Sequence, residues 1–178
     1  MGESVKQVAG SFATEDELRA FYDAMLPRVF SYFSRRCSST ALAEDLTQET
    51  FLSAAREIRH GSVVDEPERW IFGLARHRLV DHFRAQEREG RRLRLAWQAE
   101  EATDRVAEAR SLSREQTRAA LDEVPPAQRL ALTLRYLDGL TIPETATAIG
   151  RSVRATESLL VRGRQSFRRA YQEVPHDE

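Results

Sequence analysis

The sequence predicts an all-α fold of two small helical domains joined by a flexible linker. Apolar residues recur at steps of three and four along most of the chain, glycines and prolines fall between these periodic segments, and no alternating strand pattern persists. A polar, charged stretch separates two groups of helices. The predicted organisation is an N-terminal tail over 1–14, a first domain over 15–87, a linker over 88–112, a second domain over 113–172 and a C-terminal tail over 173–178.

The first domain is predicted to contain three helices. Thr14 and Glu17 form a capping-box signature ahead of an amphipathic segment, which Pro27 interrupts. A second helix is expected over about 40–59. A third helix, with Asp-Glu-Pro-Glu at its start, is expected over about 65–86.

The second domain is predicted to end in a helix-turn-helix. Before it, a helix opens at Pro125-Pro126 and closes at Gly139. A short helix over 142–149 then ends at Gly150, which tolerates the left-handed geometry of a turn. One side of the last helix is expected to face the core of the domain. The residues on that side are Val153, Thr156, Leu160, Gly163 and Phe167.

The outward face of that last helix carries arginines and would lie in a DNA major groove, with its N-terminal end foremost. Arg151, Arg154, Ser158 and Arg162 can reach phosphates or guanine edges there. A helical hairpin with a solvated basic face is the competing interpretation of the same pattern.

Charge is balanced overall but unevenly distributed. The chain has 27 basic and 28 acidic residues, for a net charge of −1, so it is not a uniformly basic nucleic-acid binder. Arginines dominate 76–94 and 151–169, whereas acids concentrate in 15–17, 44–49 and 100–108. Basic segments separated by acidic ones indicate at least two partner surfaces of opposite sign.

Several classes of protein are disfavoured by what the sequence lacks. No apolar run approaches the roughly 20 residues that span a bilayer, and 1–13 does not resemble a secretion signal, so a cytoplasmic protein without membrane insertion is expected. The single cysteine, Cys37, excludes an internal disulfide and a four-cysteine zinc site. His77 and Asp81 share a helical face but form a weak metal pair. No phosphate-binding or nucleophile motif is present. We therefore expect neither a cofactor or metal nor enzymatic activity.

The first domain carries a specific resemblance. The run Ala43-Glu44-Asp45-Leu46-Thr47-Gln48-Glu49-Thr50-Phe51 resembles a signature in the second region of extracytoplasmic-function sigma factors of RNA polymerase. In that family the helix docks on the clamp helices of the polymerase's largest subunit. The resemblance implies a core-polymerase-binding role for four residues: Asp45, Gln48, Glu49 and Leu52. Without the resemblance, a solvated acidic helix face would be the simpler interpretation.

A second stretch, 70–77, followed by Asp81 and Arg84, resembles the part of the family that recognises and melts the −10 promoter element. Melting needs a stacking platform or pocket for flipped bases and cations for the backbone. The residues expected to contact −10 DNA are Phe72, Arg76, His77, Arg78 and Arg84. His77 replaces the family's usual Asn, and Gly73 replaces its usual Arg.

The third resemblance covers 127–169 and concerns the family's fourth region, which reads the −35 element. The string Val153-Arg154-Ala155-Thr156-Glu157-Ser158-Leu159-Leu160-Val161-Arg162-Gly163-Arg164 is similar to that family's last helix. The expected −35 DNA-binding residues are Arg151, Ser152, Arg154, Glu157, Ser158, Arg162 and Arg164. Glu157 and Leu159 replace a common Lys and Arg, so Glu157 either accepts a hydrogen bond from cytosine or repels phosphate. Ser152, for its part, could serve only as a helix cap.

These resemblances imply an alternative sigma factor that binds core RNA polymerase and promoter DNA and is held inactive by an anti-sigma factor. Two other hypotheses stay open: a helix-turn-helix regulator that acts without polymerase, and a protein that occupies the polymerase clamp without initiating transcription. Cys37 is expected to be inert rather than redox-sensing.

Overall fold

Every element that the structure describes is helical, which confirms the predicted all-α class. The structure is a computed structural model and describes residues 12, 14–61, 64–96 and 112–173. The chain divides into two compact units, 1–79 and 80–178, and the division falls inside the third helix. Most of the predicted linker (97–111) and most of both predicted tails lie outside the described residues, so the predicted domain limits stay predictions.

The first unit is built from α1 (Glu15–Ser34), α2 (Thr40–Arg59) and the beginning of α3 (Pro67–Ala96). As predicted, Thr14 caps α1: its side-chain oxygen accepts a hydrogen bond from the backbone N–H of Glu17 at 3.1 Å. Ser39 caps α2 in the same way. Capping satisfies backbone donors that a helix start leaves unpaired, so both helix starts are fixed by the local sequence.

The core of the first unit lies where α1 and α2 pack together and where α3 contributes its buried side chains. Val29, Phe33, Ile71 and Ala75 are completely buried there. Cys37, which forms no disulfide, is buried just after the end of α1. Burial of this apolar surface is the main contribution that holds short helices in place.

Helix α3 extends ten residues beyond its predicted end near Gln86. The prediction ended the helix where large apolar residues stop recurring. Glu, Arg and Leu, which make up most of this extension, are all good helix formers, so intrinsic helix propensity favours continuing the helix. An exposed ion pair between Glu89 and Arg92, three residues apart, adds a small contribution.

The second unit contains the rest of α3 and four further α-helices: α4 (Leu112–Asp122), α5 (Pro126–Leu132), α6 (Ile142–Ile149) and α7 (Val153–Glu173). A π-helical turn (Thr133–Leu137) follows α5 directly. Helix α7 packs on α4, α5 and α6 and is the centre of the unit. Leu134 and Leu160, from the π-helical turn and α7, are almost fully buried in its core.

The predicted helix-turn-helix is present. Thr141 and Glu144 form a complete capping box at the start of α6, and Gly150 ends that helix with φ 64° and ψ 42°, in the left-handed region. Gly163 of α7 faces α5 so closely that a Cβ atom there would lie 3.1 Å from Leu132 Cγ. The predicted inward position of Val153 is wrong, because its side chain is 45 % exposed in the first turn of α7.

A buried ion pair links α4 to α5. Arg129 is 8 % exposed, and its Nη1 lies 2.7 Å from Asp122 Oδ1. Burial raises the pKa of the Asp122 carboxyl, although the neighbouring Arg129 acts in the opposite direction. Because breaking such a pair leaves a buried charge, we infer that it fixes how α4 meets α5.

Replacing Thr133 with valine is expected to stabilise the protein by about 1 kcal/mol. The Thr133 side chain is 1 % exposed, and its hydroxyl has no hydrogen-bond partner among the described residues, so the folded state leaves a desolvated hydroxyl unpaired. Thr145 is the matched control: it is completely buried, and its hydroxyl donates to the Thr141 carbonyl at 2.8 Å. Urea unfolding measures both variants, and a Thr133→Val destabilisation as large as that of Thr145→Val would contradict the expectation.

Candidate polymerase-binding and nucleic-acid-binding surfaces

The four residues expected to bind polymerase project from one face of α2. Asp45, Gln48, Glu49 and Leu52 have the spacing i, i+3, i+4 and i+7, and all four side chains lie on that face, with Leu52 51 % exposed. We call them the acidic face. Among the described residues, the carboxylates of Asp45 and Glu49 take part in no ion pair. The acidic face can therefore receive cations and an apolar group from a partner.

An apolar groove between α1 and α2 adjoins this face. It has a volume of about 790 Å³, and its lining includes Gln48 and Leu52 together with Tyr22, Leu26 and Phe51. Tyr22 and Leu26 are 42 % and 36 % exposed, and the Tyr22 and Phe51 rings lie 4.7 Å apart. Neither Tyr22 nor Leu26 was among the residues expected to bind a partner. The available signal was that α1 carries more apolar residues than one helix face can bury.

The predicted −10 residues of the first unit lie along the start of α3, in three different environments. The side chain of His77 is exposed, and those of Phe72 and Arg76, one turn apart, are half-buried. Arg78 donates a hydrogen bond from Nη2 to Ser53 Oγ at 2.6 Å, which ties it to α2. The structure thus leaves His77 as the most accessible member of the set.

Phe72 and a second aromatic ring lie close together, each with an arginine nearby, an arrangement that the sequence pattern did not predict. The Tyr32 ring centroid lies 5.8 Å from that of Phe72. The Arg28 guanidinium lies 5.8 Å from the Phe72 ring and also pairs with Glu68, and Arg36 lies 3.7 Å from the Tyr32 ring. Aromatic rings on which bases can stack, with cations nearby, are common features of sites that bind single-stranded nucleic acid. Residues of α1 and its C-terminal end supply three of these groups, so only tertiary packing reveals them.

Arg84, from the predicted −10 set, and Arg151, from the predicted −35 set, both have partners within the second unit. Both lie in the second unit, where Arg84 Nη2 donates to the Ala148 carbonyl at 3.2 Å. Arg151 Nη2 forms an ion pair with Glu87 Oε1 at 2.6 Å, and both side chains are partly buried. Each guanidinium is therefore already paired within the second unit.

The remaining predicted −35 residues lie along the exposed side of α7 or at its start. Ser152 Oγ accepts a hydrogen bond from the Ala155 N–H at 3.2 Å, so Ser152 caps the helix. Arg154, Glu157, Ser158 and Arg162 are exposed along the first turns of α7. Arg164 is also exposed, and its Nη1 donates to the Tyr136 hydroxyl at 3.1 Å. Two exposed valines were missed: Val153 and Val161, each 45 % exposed.

Neither a metal-binding group nor a membrane-spanning helix is present among the described residues. They contain no group of three or more histidine, cysteine, aspartate or glutamate side chains placed to hold a metal ion. Within the same parts of the chain, no helix is both long and apolar enough to span a membrane.

Two family models match the chain, one in each half of the sequence. The model of sigma-70 region 2 matches residues 21–89, and the model of sigma-70 region 4 matches residues 114–167. The acidic face and the predicted −10 residues fall within the first match, and most of the exposed side of α7 falls within the second.

Sequence relatives agree with these matches. The chain is 32% identical over 162 residues to the ECF RNA polymerase sigma factor BldN of Streptomyces coelicolor, a match that covers 86% of this chain and 60% of BldN. It is 31% identical over 151 residues to the ECF RNA polymerase sigma factor SigC of Mycobacterium tuberculosis, covering 84% of this chain and 80% of SigC.

A solved structure shows the same fold. The sigma factor RpoE of Bartonella quintana, crystallised with the anti-sigma factor NepR, matches with a TM-score of 0.55 and 20% identity over 90% of this chain and 99% of that one. With both regions matched and SigC covered over most of its length, the chain belongs to the extracytoplasmic-function family of RNA polymerase sigma factors.

Proposed function

We propose that this protein binds core RNA polymerase through its first unit and directs the polymerase to promoters that its two units recognise separately. As a sigma factor it is a transcription initiation factor and not an enzyme. Polymerase and chromosome share the cytoplasm of a bacterium, so we place its action there.

The observation that carries the proposal is the acidic face beside an apolar groove, because its two carboxylates form no ion pair with any residue that the structure describes. Asp45 and Glu49 offer two carboxylates on adjacent turns, and Leu52 continues into the groove that Tyr22 and Leu26 line. A basic, partly apolar pair of helices, such as the clamp helices in the family, fits this arrangement. A merely solvated acidic helix would not require exposed apolar residues next to its acids.

Promoter DNA is bound by different parts of the two units. The N-terminal half of α7 enters the major groove at the −35 element, where Arg154 and Arg162 contact phosphates or guanine edges. At the −10 element, His77 and Phe72 meet bases that leave the duplex, and Arg76 contacts the backbone. The energy for strand opening comes from this base capture and from polymerase contacts, without nucleotide hydrolysis by this chain.

An anti-sigma factor is the proposed regulator. The family resemblance implies one, and RpoE of Bartonella quintana, which has a similar fold, was crystallised with an anti-sigma factor. An inhibitor that covers the acidic face or the apolar groove would compete directly with polymerase. A pull-down from the native host, with the acidic face intact or reversed, would identify it.

Reconstituted transcription tests the proposed function. Purified chain is mixed with core polymerase that lacks its own specificity subunit, and genomic fragments serve as templates. We expect transcripts with defined start sites that need both proteins. A regulator that acts alone would bind DNA without polymerase, whereas a clamp-binding protein without initiation activity would bind core and give no transcripts. Either result would refute the proposal.

A further inference from the structure

Two parallel rows of side chains run along the exposed side of α7. One row is polar and basic, with Arg154, Ser158 and Arg162 at steps of four, and all three side chains are exposed. The other row, also at steps of four, consists of Val153, Glu157 and Val161, and these are equally exposed. We call the second row the valine–glutamate row. The opposite side of the helix, with Thr156 and Leu160, is buried in the core.

Glu157 is unusual for an acid on an arginine-rich helix, because it pairs with none of the arginines whose side chains the structure describes. Its neighbours one turn away, at i−4 and i+4, are both valines, so its own row offers no cation. Arg154, three residues earlier, forms no ion pair with it, and no other described residue does so. The exposed carboxylate is thus free to accept hydrogen bonds from a ligand.

The chemistry of the major groove decides what such a carboxylate can bind. Phosphates repel it, and so do the O6 and N7 acceptors of guanine and the O4 acceptor of thymine. Cytosine presents only the N4 amino donor, whereas adenine presents a donor beside an acceptor. Cytosine is therefore the base that an unpaired glutamate favours, and an exposed valine beside it fits the methyl group of thymine.

We propose that the valine–glutamate row determines base preference at the −35 element, with Glu157 accepting a hydrogen bond from a cytosine and Val153 contacting the methyl group of a nearby thymine. The basic row then supplies affinity through phosphates and guanine edges. This assignment rests on the proposed function, because it requires α7 to lie in the major groove. It also resolves the two roles left open for Glu157 in favour of base reading.

A promoter library tests the assignment. The −35 positions are randomised, the library is transcribed once by core polymerase with the purified chain, and the transcripts are sequenced. We expect a preference for cytosine at one position. Glu157→Gln should shift that position towards adenine, because glutamine pairs with adenine N6 and N7, and Glu157→Lys should shift it towards guanine, each by about tenfold. Val153→Ala should weaken a thymine preference at a neighbouring position by several fold.

Glu123→Gln is the matched control, because it removes one exposed acid that belongs to the loop between α4 and α5 and not to α7. Its sequence preference should equal that of the wild type. If wild type and control transcribe but Glu157→Gln keeps the cytosine preference, or loses activity equally on all sequences, the base-reading role is wrong. If no library member yields promoter-directed transcripts, the proposed function itself fails, which is a separate outcome.

Discussion

Reversing the charges of Asp45 and Glu49 together, to lysine, is expected to weaken binding to core polymerase by about 100-fold or more. Both carboxylates are unpaired among the described residues and lie on the outer face of α2, so the substitution should leave the first unit folded. Each new lysine would replace an attraction with a repulsion against a basic partner. A weakening of about 100-fold corresponds to roughly 2.7 kcal/mol, within the range for two charged interface contacts.

Fluorescence anisotropy of the labelled full chain with core polymerase measures this effect. Asp45→Lys and Glu49→Lys should each show part of the effect, and Glu123→Lys, a charge reversal at one site of the second unit, should show none. The effect should shrink as salt is raised, since salt screens exposed charges. Unchanged binding of the double variant would remove the acidic face from the polymerase interface and, with it, the main support for the proposed function.

Removing Arg154 and Arg162 together, by alanine substitution, is expected to lower promoter affinity by about 100-fold while leaving core binding unchanged. The two arginines stand two turns apart on the basic row of α7, with Ser158 between them. Arg162 Nε donates to the Ser158 carbonyl at 3.3 Å, which leaves the rest of its guanidinium to bind DNA. Alanine keeps the helix, so the substitution should remove only the interactions with DNA.

The salt dependence of promoter binding by the reconstituted holoenzyme distinguishes phosphate binding from base recognition. Removing an arginine that binds one phosphate should reduce the slope of log affinity against log salt by about one. Removing an arginine that binds guanine should instead reduce discrimination at one base pair. Arg56→Ala with Arg59→Ala on α2 removes the same charge from the first unit, and a similar weakening there would show that net charge, not α7, governs affinity.

The elements that the sequence predicted well are those specified by local chemistry. The capping pair Thr141 and Glu144 and the left-handed Gly150 fixed both ends of α6, and the structure agrees to the residue. The acidic face was predicted as a geometric unit for the same reason, because the i, i+4 periodicity of a helix is a local property. Its role in binding polymerase is tested by the charge-reversal experiment.

Features that depend on tertiary packing could not be predicted from the sequence. Val153 was predicted to be buried because it is apolar and three residues from Thr156, but its side chain in the first turn of α7 stays exposed. The π-helical turn after α5 shifts the register of Thr133–Leu137, and such a shift has no sequence signature. The pairing of Arg151 with Glu87 joins residues 64 positions apart, which no periodicity indicates.

Gly163 packs tightly against Leu132 and Gln128, so the buried side of α7 tolerates few substitutions. A Cβ atom at 163 would need the Leu132 side chain to shift by a few tenths of an ångström, and a bulkier residue would need more room than the packing of α7 on α5 leaves. Substitutions on the exposed side of α7 do not disturb this packing. A lineage can therefore acquire new target genes by exchanging a few surface residues, while the scaffold that carries them stays as stable as before.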